Sequence, residues 1–166
     1  AFLLRSNGDE IDAIKNYELY CKKLSESDTI FSSIIANELF DELYSLLIKL
    51  GYNEIYYTNN IGEWCLYDMV SKKVYFYDFF VKETGKLIEF NGDYWHANPN
   101  KYLADQIIKY PNNVQKTARE VWEQDKLKIQ TLTRYPIIKD HLIIWESDYK
   151  ENKSEIIQKC INFLTK

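Results

Sequence analysis

Several things are scarce in this chain of 166 residues. Glycine (5) and proline (3) are few, which excludes a Gly/Pro-rich linker architecture and long stretches of low complexity. There are three cysteines, Cys21, Cys65 and Cys160, odd in number and far apart. They form neither a disulfide framework nor a zinc spacing and suit a reducing cytosol. Excess positive charge is also missing: the formal net charge is −4 and the pI is near 5.3, which excludes a chain-wide basic face and leaves nucleic acid to a local patch. No run is apolar for long enough to cross a membrane, and no signal peptide is visible. The first residue is Ala1, as expected of a processed chain or a piece of a longer one.

Aromatics are abundant instead: 14 Tyr, 8 Phe and 4 Trp, enough with the aliphatics to fill one sizeable core. The pattern predicts a single domain of 1–166, with an N-terminal extension over 1–32 and a core over 33–166. Asp9 or Asp12 caps an expected helix reaching Leu24. Ser32 or Ser33 caps the clearest helix, Ile34 to Leu50. There Ile35, Leu39, Leu43, Leu46, Leu47 and Leu50 follow the helical period, and Gly51 stands at C′. Strands are expected over Ile55 to Thr58, Glu63 to Tyr67, Val74 to Val81 and Leu87 to Phe90. Residues 97–113 read as a long loop with one helical turn, and His141 as a loop residue. A helix follows from Val114 to Thr133, then a buried strand over Leu142 to Trp145, then a helix capped by Ser154 and reaching Leu164. Trp64, Trp122 and Trp145 read as core. The order helix, strands, helix, strand, helix predicts an α/β sandwich around one mixed sheet.

Chemistry concentrates in one stretch, Tyr77 to His96. Asp78 falls inside the first aromatic strand and Glu89 inside the second, with Thr84-Gly85 turning between them. A buried carboxylate is costly unless paired, and a divalent cation is an economical partner. A hairpin of this length brings both acids to one end of adjacent strands. It sets Glu89 and Asn91 on a shared face and lets the Phe90 carbonyl reach the same point. These hard, incomplete oxygen ligands suit Mg²⁺, with Mn²⁺ able to substitute, and would activate water at a phosphoryl centre. His96, one of two histidines, lies just beyond, where an imidazole can move a proton. Trp95 beside it either packs under the imidazole or offers a face for stacking. Lys22-Lys23, Lys72-Lys73 and the pair Lys101/Lys109 are small basic clusters that read as solvated surface; the last flanks the stretch, with contact to phosphates as its alternative.

With ten residues between Asp78 and Glu89-Phe90-Asn91, the stretch resembles the PD-(D/E)xK nuclease motif, Asn91 standing where that motif has lysine. Gly92-Asp93-Tyr94-Trp95-His96 is more specifically similar to the Gly-x-x-Trp-His segment of the very-short-patch repair endonucleases and of phage homing endonucleases with the EDxHD core. Asp125-x-x-Lys128 and Trp145-Glu146 extend the resemblance to most of the chain, from about Glu38 to Leu164. It implies a restriction-endonuclease-like three-layer core. It also implies a Mg²⁺-dependent endonuclease on double-stranded DNA that leaves 5′-phosphates, in the cytoplasm of a host if phage-encoded, with any DNA-recognition domain outside this chain. Asp78 and the Phe90 carbonyl, with Glu89, would hold the metal, His96 would transfer the proton, and Asp125 would complete the site.

Three departures qualify the match. Ala97-Asn98-Pro99 stand where the repair enzymes have zinc ligands, so zinc is not expected and a homing role fits better than mismatch repair. The motif lysine is replaced by Asn91; Lys128, one turn from Asp125, either supplies that cation or is a solvated surface lysine. For the family's N-terminal acid, Glu38 comes first, with Asp41, Glu42 and Glu63 competing. Two other readings stay open: a nuclease fold kept for DNA binding or assembly without catalysis, and a PD-(D/E)xK nuclease of restriction or RNA-processing type.

Overall fold

The structure, a computed structural model, describes residues 34–166. The expected helix before Leu24, the Ser32 and Ser33 caps and Lys22-Lys23 lie outside the described residues. Helix α1 runs Ile34–Lys49 and buries Ala36, Leu39, Phe40, Leu43 and Leu47. It closes on Gly51, whose φ of 95° permits the reversal: the Tyr52 amide reaches the Leu47 carbonyl and the Gly51 amide that of Ile48.

A mixed four-stranded sheet follows, in the order β1-β4-β5-β8. Strand β1 (Ile55–Tyr57) pairs antiparallel with β4 (Phe79–Val81), which pairs antiparallel with β5 (Lys86–Asn91). Strand β8 (Asp140–Trp145) lies parallel to β5, with Glu89 opposite Ile143 and Asn91 opposite Trp145. On one face α1 and the last helix α4 (Lys153–Thr165) bury Tyr57, Phe79, Val81, Ile88, Phe90 and Ile144. On the other, Leu87, Phe80 and Tyr77 pack with Leu132 of α2 (Ala118–Leu132) and with Leu66 of a β2–β3 hairpin (Trp64–Asp68, Lys73–Tyr77). The chain is thus α/β, a mixed central sheet with helices on its flanks.

Five local expectations are corrected. The long strand over Val74 to Val81 is broken at Asp78, because its two halves serve different sheets: β3 pairs with β2, and β4 with β1 and β5. Residues 97–113 are not a loop alone. Strand β6 (Ile107–Lys109) pairs with β7 (Gln115–Thr117), and residues 111–113 form a 3₁₀ turn at the tip. Helix α2 therefore begins only at Ala118, where Thr117 and Glu120 make a capping box. A short helix α3 (Glu146–Glu151) precedes α4, whose N-cap is Asn152 and not Ser154. His141 lies in β8. No described helix is long and apolar enough to cross a membrane.

Candidate active site

The break at Asp78 builds the site. Residue 78 leaves one hairpin and enters another, so its backbone and side chain are released from ladder pairing. Its Oδ2 accepts from the Phe90 amide at 2.7 Å, and its own amide donates to Glu89 Oε1 at 3.2 Å. Continuing the register of Phe79 opposite Ile88 brings Asp78 level with Glu89. Within a strand the N–H and C=O of one residue point the same way. The Phe90 carbonyl therefore emerges on the side of Asp78, while the Phe90 ring points into the core against Phe40 and Tyr149.

Glu89 is buried, and its other oxygen meets the ammonium of Lys128 on α2. Burial pushes the Glu89 carboxyl up to about 8, and the charge of Asp78 pushes the same way; Lys128 opposes both. Burial in turn works against the Lys128 cation, but Glu89 and Asp78 outweigh it and hold the ammonium above its ordinary value. Lys128 is thus no solvated surface lysine. Its side chain is 22% exposed, its Nζ sits 5.1 Å from the centroid of the Tyr77 ring, and its carbonyl accepts from the Tyr77 hydroxyl at 2.9 Å. Tyr77 went unanticipated as the residue that seats Lys128, because the contact is made with a helix distant along the chain.

One turn earlier on α2, Asp125 Oδ2 lies 2.8 Å from His96 Nδ1. A carboxylate at Nδ1 favours the tautomer with its proton there and leaves Nε2 as the acceptor. The loop carrying His96 is held by several contacts. The His96 amide reaches the Gly92 carbonyl, the Trp122 indole donates to the Ala97 carbonyl at 2.7 Å, and Asp93 accepts from Asn98 and Ser147 and pairs with Lys101. Buried Ala97 sits in the left-handed region (φ 48°), a conformation that only dense packing sustains in a residue with a side chain. Gly92 has little room for a Cβ, which would lie 3.3 Å from the Trp95 ring.

Glu89, Asn91, His96, Asp125 and Lys128 line one small cleft, walled by Ile129 and Ile143. The two isoleucines went unanticipated, since an apolar wall has no signature distinct from the core. Glu63 stands just before β2, not within it, and accepts from Thr58 Oγ1 at 3.2 Å. Burial, then the charge of Asp78, raise its carboxyl to about 7, while Thr58 and Lys128 pull the other way; it therefore belongs electrostatically to this site. Glu38 does not join these residues: it is exposed on α1 and pairs with Lys153 of α4. Asp41 instead accepts from the Tyr57 hydroxyl and Asn59. Trp95 is 54% exposed and stacks on Tyr110 at 5.7 Å, so it does not pack under His96 as a core residue would. Trp64, Trp122 and Trp145 are each half-buried.

The donor set is compatible with a small hard cation. Asp78, Glu89 and the Phe90 carbonyl offer oxygen ligands on one side of β5, and the mutual repulsion of the two carboxylates is what a cation would relieve. Among the described residues no group of three or more His, Cys, Asp or Glu side chains is disposed to hold a metal, so backbone, water and substrate oxygens would complete the coordination. No family model matches the chain, and neither any curated protein nor any solved structure does.

Proposed function

We propose that the chain is a metal-dependent DNA endonuclease of the very-short-patch repair or EDxHD type, closer to phage homing enzymes, on a restriction-endonuclease-like core. The observation that carries this reading is the His96–Asp125 pair, with Nδ1 to Oδ2 of 2.8 Å, lining the same cleft as Glu89 and Lys128 beside Asp78. Mg²⁺ would supply Lewis acidity at the scissile phosphate. Asp78, Glu89 and the Phe90 carbonyl would hold it. His96 Nε2 takes or gives the proton of the attacking water or the leaving oxygen, and Asp125 keeps the imidazole oriented. Lys128 offsets the buried charge of Glu89 and, with Asn91, faces the position of the phosphate. Glu63 adds a further acid beside Asp78, in the role the family gives to an N-terminal acid. The product would carry a 5′-phosphate.

The test is nicking of supercoiled plasmid in Mg²⁺ or Mn²⁺. The native chain should cut, and Asp78→Ala and His96→Ala should each lower the rate by at least ~100-fold, the scale of lost acid–base or metal catalysis. Unchanged cutting by either variant would sink the assignment.

A further inference from the structure

The β6–β7 hairpin stands beside this cleft and contributes nothing to its lining. One side of it is anchored: Ile108 is buried with Ala97, Ala118 and Val121. The other side and the tip are exposed, including Ile107, Lys109, Pro111, Asn112, Asn113 and Gln115. Charge is uneven along the chain. Residues 97–119 contain Lys101, Lys109, Lys116 and Arg119 against the single acid Asp105, in a protein whose net charge is −4; Lys101 pairs with Asp93 and Arg119 with Asp105. The tip is Tyr110-Pro111-Asn112-Asn113-Val114, closed by the Tyr110 amide on the Val114 carbonyl at 2.7 Å. Asn112 and Asn113 both adopt left-handed φ, 62° and 61°, which Asn tolerates better than other residues with side chains. The hairpin is also mechanically joined to the catalytic loop. The Tyr110 hydroxyl donates to the Trp95 carbonyl at 3.0 Å, the Tyr94 hydroxyl donates to the Lys109 carbonyl, and Asp125 is close enough to act on the Tyr110 phenol through its charge.

We propose that this hairpin is the element that reads base sequence next to the cut, a reading that rests on the nuclease assignment above. A two-stranded ribbon fits the major groove of B-form DNA, roughly 12 Å wide. Its two tip amides match the bidentate pairing of Asn with the N6 and N7 of adenine. Lys109 lies on the exposed face of the ribbon, where phosphates of a groove wall would run, while Lys116 stands opposite buried Ile108 and donates to Gln124 at 2.8 Å. Tyr110 ties the tip itself to Trp95, next to His96, so the base pairs at the tip are set at a fixed offset from the scissile bond. The deep, narrow major groove of A-form RNA does not admit such a ribbon, so the partner is DNA.

The experiment is selection of bound duplexes from a randomised DNA library, in Ca²⁺, for the native chain, for the pair Asn112→Gly/Asn113→Gly, and for Lys109→Ala. Glycine keeps the left-handed backbone and removes the two Asn side chains, so the doubly substituted hairpin retains its shape; the thermal unfolding midpoint checks this. The native chain should enrich a short motif containing adenine. The glycine pair should lose preference at two adjacent positions while its overall DNA affinity falls less than ~10-fold. Lys109→Ala should weaken all sequences alike and lower the slope of log K against log salt by about 1. An unchanged motif in the glycine pair, no enriched motif for the native chain, or no DNA binding would each overturn the proposal. If the motif depends on the hairpin but plasmid is never cut, the hairpin assignment stands and the catalytic one falls.

Discussion

Glu63 shows how much one side chain can cost. Its carboxyl is raised from 4.5 to about 7 by burial and by the neighbouring charge of Asp78. A raised acid binds a proton in the folded state that the unfolded chain has already lost. Its penalty is therefore absent near pH 4, grows as pH rises through the window from about 4.5 to 7, and is constant above that. At roughly 1.4 kcal/mol for each tenfold change in proton affinity, and discounting for partial exposure, the penalty is on the order of 2 kcal/mol at pH 8. Glu63→Gln keeps an acceptor for Thr58 and removes the charge. Its urea midpoint should exceed that of the native chain at pH 8 and match it at pH 4.5. Equal midpoints at both values would show that Glu63 is not the buried, repelled acid described. Natural chains retain such penalties where a charge is needed for chemistry, and plasmid cutting by the same variant reports on that need.

At the scale of elements, the β4–β5 turn ties the hairpin that holds the site to the segment entering β8. Gly85 has φ 69°, its carbonyl accepts from the Lys139 amide at 2.7 Å, and a Cβ there would clash with the Ile137 carbonyl oxygen. Backbone cannot retreat as a flexible side chain can. Gly85→Ala should therefore cost about 2–4 kcal/mol, the sum of a left-handed penalty and a displaced connection, measured by chemical denaturation. A loss under 0.5 kcal/mol would mean that the turn is free to move. The same turn is legible in the residues themselves, because Thr84-Gly85 between two aromatic runs carries its own conformational requirement. So is α1, whose leucines recur at the helical period and whose stop at Gly51 is local. The β6–β7 hairpin is not legible in this way. Ile107 and Ile108 make too short an apolar run to separate from a loop, and its turn uses Asn where Gly would signal. The break at Asp78 escapes notice for another reason: which sheet each half of a strand joins is decided by distant partners, β2 on one side and β5 on the other.

For the whole molecule, the candidate site assembles from three separate pieces: the β3–β4 corner with Asp78, β5 with its following loop to His96, and α2 with Asp125 and Lys128. The hairpin and the Gly-x-x-Trp-His segment are contiguous and can be read along the chain. The choice of N-terminal acid cannot: Glu38 comes first along the chain over Asp41, Glu42 and Glu63, until packing turns it to Lys153 and brings Glu63 beside Asp78. Because the pieces come from across the fold, a cation bound between them would link β5 to the β3–β4 corner and stabilise the folded chain as a whole. A ligand bound only by the folded state stabilises it by RT ln(1 + [L]/Kd), about 2.7 kcal/mol at a concentration of 100 Kd. In a domain of this size that raises the unfolding midpoint by roughly 5–10 °C. Mg²⁺ or Mn²⁺ should therefore shift the melting curve upward in the absence of DNA, and a chelator should reverse it. Asp78→Asn removes a ligand charge while keeping an acceptor for the Phe90 amide, so it should melt near the native chain without metal and gain under 1 °C from it. Equal metal-dependent shifts in both proteins would place the cation elsewhere and detach Asp78 from metal binding, whatever the cutting assay shows.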